Sequence, residues 1–170
     1  MRGIEKTIEE NVTNMKSNLN EEIRRIKSLM IENDSDFDMH INGEISSPNG
    51  LQIILKNKSG EKIGCTNVIG FKHAVDLSRD FKTFLENREH PFLKDNCVYQ
   101  FGTEIDQKFR RNGYATILRN KCHDLSKENN FKYATGILRK DNTANQNLMK
   151  KMGYNIFDSS DEKDFVVLEL

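Results

Sequence analysis

The residues best suited to chemistry lie in one short run, Ile105-Asp106-Gln107-Lys108-Phe109-Arg110-Arg111-Asn112-Gly113-Tyr114-Ala115. A β-rich stretch precedes it and an amphipathic helical pattern follows, so the run reads as a turn from a strand into a helix. The first amides of a helix have no intrahelical partner, and the positive end of the helix dipole adds to them. An anion placed there is hydrogen-bonded and charge-stabilised at once. Gly113 lets the backbone come close to such an anion, Ala115 keeps the first turn small, and Arg110 and Arg111 add local positive charge. A pyrophosphate is the natural guest. Taken alone, Arg-x-x-Gly-x-Ala also describes an ordinary strand-to-helix turn.

A second block follows in order. The β-rich run Phe131 to Leu138 leads to Asn142, a helical pattern through Met149, and Gly153-Tyr154, whose glycine suits a helix end. The two blocks together resemble the GNAT superfamily of acetyl-CoA-dependent N-acetyltransferases over roughly Val98 to Leu170. The resemblance implies an α/β (α+β) fold, with a mixed, mostly antiparallel sheet, a splayed central strand pair and helices on both faces. It implies that acetyl-CoA is the co-substrate, without a metal, and that its pyrophosphate rests on Arg110, Arg111, Asn112, Gly113, Tyr114 and Ala115. The backbone of Ile105 would pair with the pantetheine arm, Asn142 would open the next helix, and Val98 to Asp106 and Phe131 to Leu138 would be the parted strands. The activity so implied is acyl-CoA N-acyltransfer, acetyl passing to a primary amine by direct attack in a ternary complex.

The chain departs from the family pattern in places. Gln107 replaces a common proline. Met149 stands where many members carry a tyrosine that protonates the departing thiolate, and methionine has no proton to give. The alternative reading is therefore a catalytically weak CoA-binding regulatory or interaction module on the same fold. The family also begins with a strand and two helices, whereas here a long helical pattern precedes the first strand, and a helical segment at 76–87 lengthens a strand connection.

Attack on a thioester needs a neutral amine, and a carboxylate acting directly or through water can take its proton. Glu104 is the acidic residue nearest that point and the candidate base; strand alternation leaves open which way it faces. The developing oxyanion needs a donor, and the Ile105 N–H is placed to serve. Tyr99 and Gln100 could orient an acceptor or belong to the core. His73, His90 and His123 read as surface or packing residues, and Cys97 and Cys122 as buried packing residues; Cys65, Cys97 and Cys122, an odd number without a Cys-x-x-Cys pair, give neither a disulfide framework nor a zinc site.

The elements that position these residues follow from periodicity. Apolar residues from Ile4 to Met30 step by three or four, so residues 1–32 form a helical segment that packs on the domain or pairs two copies, and residues 33–170 form the GNAT-like domain. Phe37 to Ile41, Leu51 to Lys56 and Lys62 to Gly70 read as strands, Ala74 to Asn87 as one helix stopped by His90-Pro91, Cys97 to Asp106 as a strand and Tyr114 to Glu128 as a helix. A terminal hairpin closes the chain. The 170 residues suit one core, and 26 basic against 26 acidic residues give zero net charge, which argues against nucleic acid as partner. With no apolar run of about 20 residues the expectation is a soluble, cytoplasmic protein with no membrane partner, its acceptor an amine of unassigned class.

Overall fold

The computed structural model describes residues 37–86, 96–158 and 160–170. The expected segment 1–32, the dimer through it, and His90-Pro91 lie outside the described residues. One sheet of seven strands carries the rest, in the order β1-β2-β3-β4-β5-β7-β6. The strands are β1 Phe37–Gly43, β2 Leu51–Asn57, β3 Lys62–Gly70, β4 Cys97–Ile105, β5 Tyr133–Arg139, β6 Asn155–Asp158 and β7 Lys163–Glu169. Every neighbouring pair is antiparallel except β4 and β5, which run parallel. Alternation in β2 shows why a strand forms: Leu51, Ile53 and Leu55 are buried, with Gln52, Ile54 and Lys56 half-buried between them. The loop to β3 is fastened by Asn57, whose Oδ1 accepts from the N–H groups of Ser59 (3.1 Å) and Glu61 (2.9 Å).

The segment after β3 departs from the sequence expectation. In place of one helix over 74–87 there are two, α1 (Phe71–Leu77) and α2 (Arg79–Glu86). Ser78 separates them: its backbone is extended, at φ −124 and ψ 109, and its hydroxyl accepts from the Phe81 N–H at 3.2 Å, as an N-cap does. The helical spacing of Val75, Leu77, Phe81 and Phe84 was compatible with a continuous helix, but the local bond of a serine hydroxyl to the backbone competes with one. Two further helices, α3 (Tyr114–Glu128) and α4 (Thr143–Lys151), match their expected ranges to within a residue or so.

Both sheet faces are covered. On one, Leu118 and Cys122 of α3 and Met149 of α4 pack on Ile53, Leu55, Val98, Ala134, Leu138 and Val166. On the other, Ala74 of α1 and Phe81 and Phe84 of α2 pack on Ile69, Cys97, Tyr99, Phe165 and Val167. Successive residues of β4 and β7 thus feed opposite cores, as a strand between two helical layers requires. The second core is aromatic: Phe84 stacks on Phe165 with ring centroids 3.7 Å apart, and Phe81 on Tyr99 at 5.0 Å. All three cysteines are buried.

Candidate active site

Strands β4 and β5 pair over only three positions, Cys97 with Tyr133, Val98 with Ala134 and Tyr99 with Thr135. The Thr135 hydroxyl donates to the Val98 carbonyl at 2.7 Å and clasps the two where they last touch. Beyond that apex β4 stays with β3 to Ile105, and β5 stays with β7 to Arg139. Their facing edges, Gln100–Ile105 and Gly136–Arg139, diverge into a wedge that opens toward the turn after β4. Buried or half-buried backbone edges of this kind ask for a hydrogen-bonding partner.

A bulge in β4 decides which way its side chains point. Cys65 pairs with Glu104 but Asn67 pairs with Phe101, so Gly102 and Thr103 together oppose Thr66. Gly102 takes the left-handed conformation, φ +62, and the Thr66 and Thr103 hydroxyls bond across at 2.8 Å. The extra residue reverses the alternation. Glu104 therefore shares the α1–α2 face with Tyr99 and Phe101, and is exposed there, while Ile105 returns to the α3 side. The Asp106 N–H donates to the Ile63 carbonyl at 2.9 Å, so Ile105, opposite Gly64, occupies a non-hydrogen-bonded position of the ladder. Its N–H and C=O face the wedge.

The turn after β4 is held from several sides. Asp106 accepts from the Lys108 N–H at 3.1 Å and starts a 3₁₀ turn, Gln107–Phe109. Lys108 forms an ion pair with Glu61 of the β2–β3 loop. Arg110 Nε donates to the Ile105 carbonyl at 3.1 Å, and Asn112 Nδ2 to the Phe109 carbonyl at 3.3 Å. Arg110 thus closes the turn as well as carrying charge. Tyr114 stands edge-on to both Phe37 (6.1 Å) and Phe109 (6.4 Å), so its ring anchors the loop.

Arg111 has φ +68 and Gly113 φ +83, two left-handed residues that turn successive amides toward one concavity. A non-glycine residue held there stores about 1 kcal/mol of strain, which the surrounding bonds must impose. Gly113 is the N-cap of α3 and no side chain caps the helix, while a Cβ added to it would meet nothing within 4 Å. The outward amides of the first turn thus remain for an anion. Asn142 caps α4 as expected, its Oδ1 accepting from the Asn145 N–H at 3.1 Å.

An anion cradle at the head of a helix, set at the mouth of a wedge between parallel strands, suits a long ligand with a phosphate-bearing end. The acetyltransferase (GNAT) family pattern matches residues 18–154. The chain belongs to the GNAT family of acetyltransferases. The fold agrees with solved GNAT structures. One from Elizabethkingia anophelis, with acetyl-CoA bound, has a TM-score of 0.57 and 13% identity, over 81% of this chain and 100% of that one. A Staphylococcus aureus GNAT acetyltransferase has a TM-score of 0.54 and 14% identity, over 72% and 69%. The PaiA N-acetyltransferase of Thermoplasma acidophilum, in complex with coenzyme A, has a TM-score of 0.52 and 8% identity, over 70% and 60%. No curated protein gives a significant match. The helical insertion expected from sequence is present in this GNAT domain, as α1 and α2 between β3 and β4.

The remaining expected residues sort clearly. Tyr99 belongs to the aromatic core and Gln100 is buried at the wedge apex. Met149 is fully buried in the α3-side core. His73 is half-buried and bonds the Ser46 carbonyl at 3.2 Å. Sequence reasoning missed a buried polar chain: His123 Nε2 lies 2.7 Å from the Tyr154 hydroxyl, which donates to Gln100 Oε1 at 3.4 Å, and Gln100 Nε2 donates to Thr66 Oγ1 at 3.4 Å. Arg119 of α3 lies beside it, with Nη2 3.4 Å from Asn145 Oδ1. The available signal was positional, because Ala115, Arg119 and His123 recur every four residues on one helix face next to the apolar stripe.

Burial, with the positive charges of Arg119 and Lys127, brings the His123 pKa down to about 4 from 6.5. The folded state therefore holds this imidazole neutral, while the unfolded chain takes up its proton below its ordinary value. Stability conferred by that difference is present above about pH 6.5 and falls as the pH drops toward 4, by on the order of 2 kcal/mol at about pH 5. Thermal melts of the native chain should lose stability over that window, and His123→Gln should flatten the loss.

Proposed function

We propose that this chain moves acetyl from acetyl-CoA to a primary amine by direct attack in a ternary complex. The observation that carries the reading is the wedge between β4 and β5, whose mouth lies at the uncapped head of α3. The amides from Arg111 to Ala115 hold the pyrophosphate, with Arg110 and Arg111 as local positive charge. The Ile105 N–H and C=O pair with the pantetheine arm, which adds itself between the strands as a further strand would, and Asn142 stands at the head of α4 beside it.

Acetyl-CoA enters on the α3–α4 side, and the amine comes from the opposite face, where Glu104 is exposed. There the carboxylate takes the ammonium proton, directly or through water, and frees the lone pair for attack. Approach of the two substrates from opposite sides of the sheet fixes the attack geometry. The reading is tested by following thiol release from acetyl-CoA with a panel of small amines, polyamines, peptide N-termini and lysine peptides. Release should depend on an amine and match the acetylated product mole for mole. Thiol release equal with and without every amine would count against transfer and favour a module that only binds CoA, the role that Met149 suggests.

A further inference from the structure

Arg119 is 6% exposed, yet its Nε has no hydrogen-bond partner, and the polar groups it meets are neutral, the Asn145 amide and the Tyr154 hydroxyl. The ionisable groups acting most strongly on it are Tyr154 and Cys122, and among the described residues no carboxylate pairs with it. A buried cation without a counter-charge costs several kcal/mol and is kept only where something repays it. Its placement says what. Its far end meets Asn145 in the first turn of α4 and the Tyr154 hydroxyl, which also lies against His123 one turn further along α3. It therefore lies between α3 and the first turn of α4, at the Tyr154 hydroxyl that reaches Gln100 at the wedge apex.

We propose that Arg119 is the built-in counter-charge for the sulfur of the acyl donor, stabilising it as a thiolate. The inference rests on the acetyl-CoA reading above. A donor with its pyrophosphate on the α3 amides and its arm in the wedge carries its sulfur inward, toward the apex and this cation. As the amine nitrogen bonds to the acetyl carbon, the thioester C–S bond breaks and its electron pair goes to sulfur; of the two protons the ammonium gives up, Glu104 takes the first and water the second. With Met149 unable to protonate the sulfur, a fixed positive charge lowers the cost of releasing it unprotonated. Burial pushes Tyr154 and Cys122 up to about 12, and His123 is down at about 4, so all three stay neutral near pH 7. Gln100 and Thr66, the neighbours from the sheet, carry no charge, and Lys127 acts on His123 from the next turn.

Calorimetric affinities for CoA and for acetyl-CoA, measured from about pH 6 to about pH 9, test this without turnover. Their phosphates are common to both ligands, so the affinity ratio isolates the thiol. In the native chain CoA should gain about tenfold over acetyl-CoA as the pH rises, one unit of thiol pKa being a factor of ten. Arg119→Lys should keep the gain and Arg119→Met lose it. A flat ratio in the native chain overturns the proposal whether or not the variants fold, as does a folded Arg119→Met that keeps the gain. Failure of acetyl-CoA itself to bind the native chain would instead remove the underlying reading.

Discussion

Gly113→Asp should leave the fold in place and weaken acetyl-CoA binding by about 100-fold or more. A Cβ at this position meets nothing within 4 Å, so the cost to the free protein is that of a side chain at φ +83, about 1–2 kcal/mol. The new carboxylate, however, stands where the pyrophosphate rests. Two like charges about 4 Å apart near a protein surface repel by about 4 kcal/mol, and the diphosphate carries more than one. Gly113→Asn separates the causes, since it brings the same bulk and backbone demand without the charge; its loss should be about tenfold. Calorimetry on both variants, with melting curves to confirm folding, gives the comparison. Equal affinity of Gly113→Asp and the native chain would remove the α3 head as the phosphate site.

Glu104→Gln should lower kcat by about 10²–10³-fold with little change in acetyl-CoA affinity, the size expected when one positioned proton acceptor is lost. The amide keeps the shape of the side chain and cannot take a proton. Rates at alkaline pH, where the amine is already neutral, should recover toward those of the native chain, so the rise of rate with pH should move to the alkaline side. A variant that retained the native pH–rate profile would show that Glu104 is only an exposed strand residue. Since the bulge at Gly102–Thr103 sends Glu104 to the α1–α2 face, Gly102→Val should impair both the bulge and the activity.

Much of the site was legible in the sequence because its parts are local. The strand, the arginine pair, Gly113 and the helix of Tyr114 to Glu128 follow one another along the chain, and the structure sets them in that order. Asn142 and Gly153 likewise cap α4 where local chemistry puts them; Gly153 has φ +86. What sequence left open was non-local. The facing of Glu104 depends on a bulge that exists only against Thr66 of another strand. Tyr114 reads as a ligand residue in the motif, but Phe37, far away in the chain, takes its ring. Arg119 and His123 read as ordinary polar positions, because nothing in the period of α3 tells that Asn145 and Tyr154 will close over them. Ser78 shows the smaller failure, a local hydroxyl overriding a helical period.

Hydrogen exchange read amide by amide, with and without acetyl-CoA, tests the central claim most directly. The account predicts slowed exchange at Ile105, at Gly113, Tyr114 and Ala115, and along the free edge from Gly136 to Arg139, with no change in the β1–β2 ladder. Acetyl-CoA that binds without protecting the wedge edges and the head of α3, or that protects another surface in their place, would contradict it.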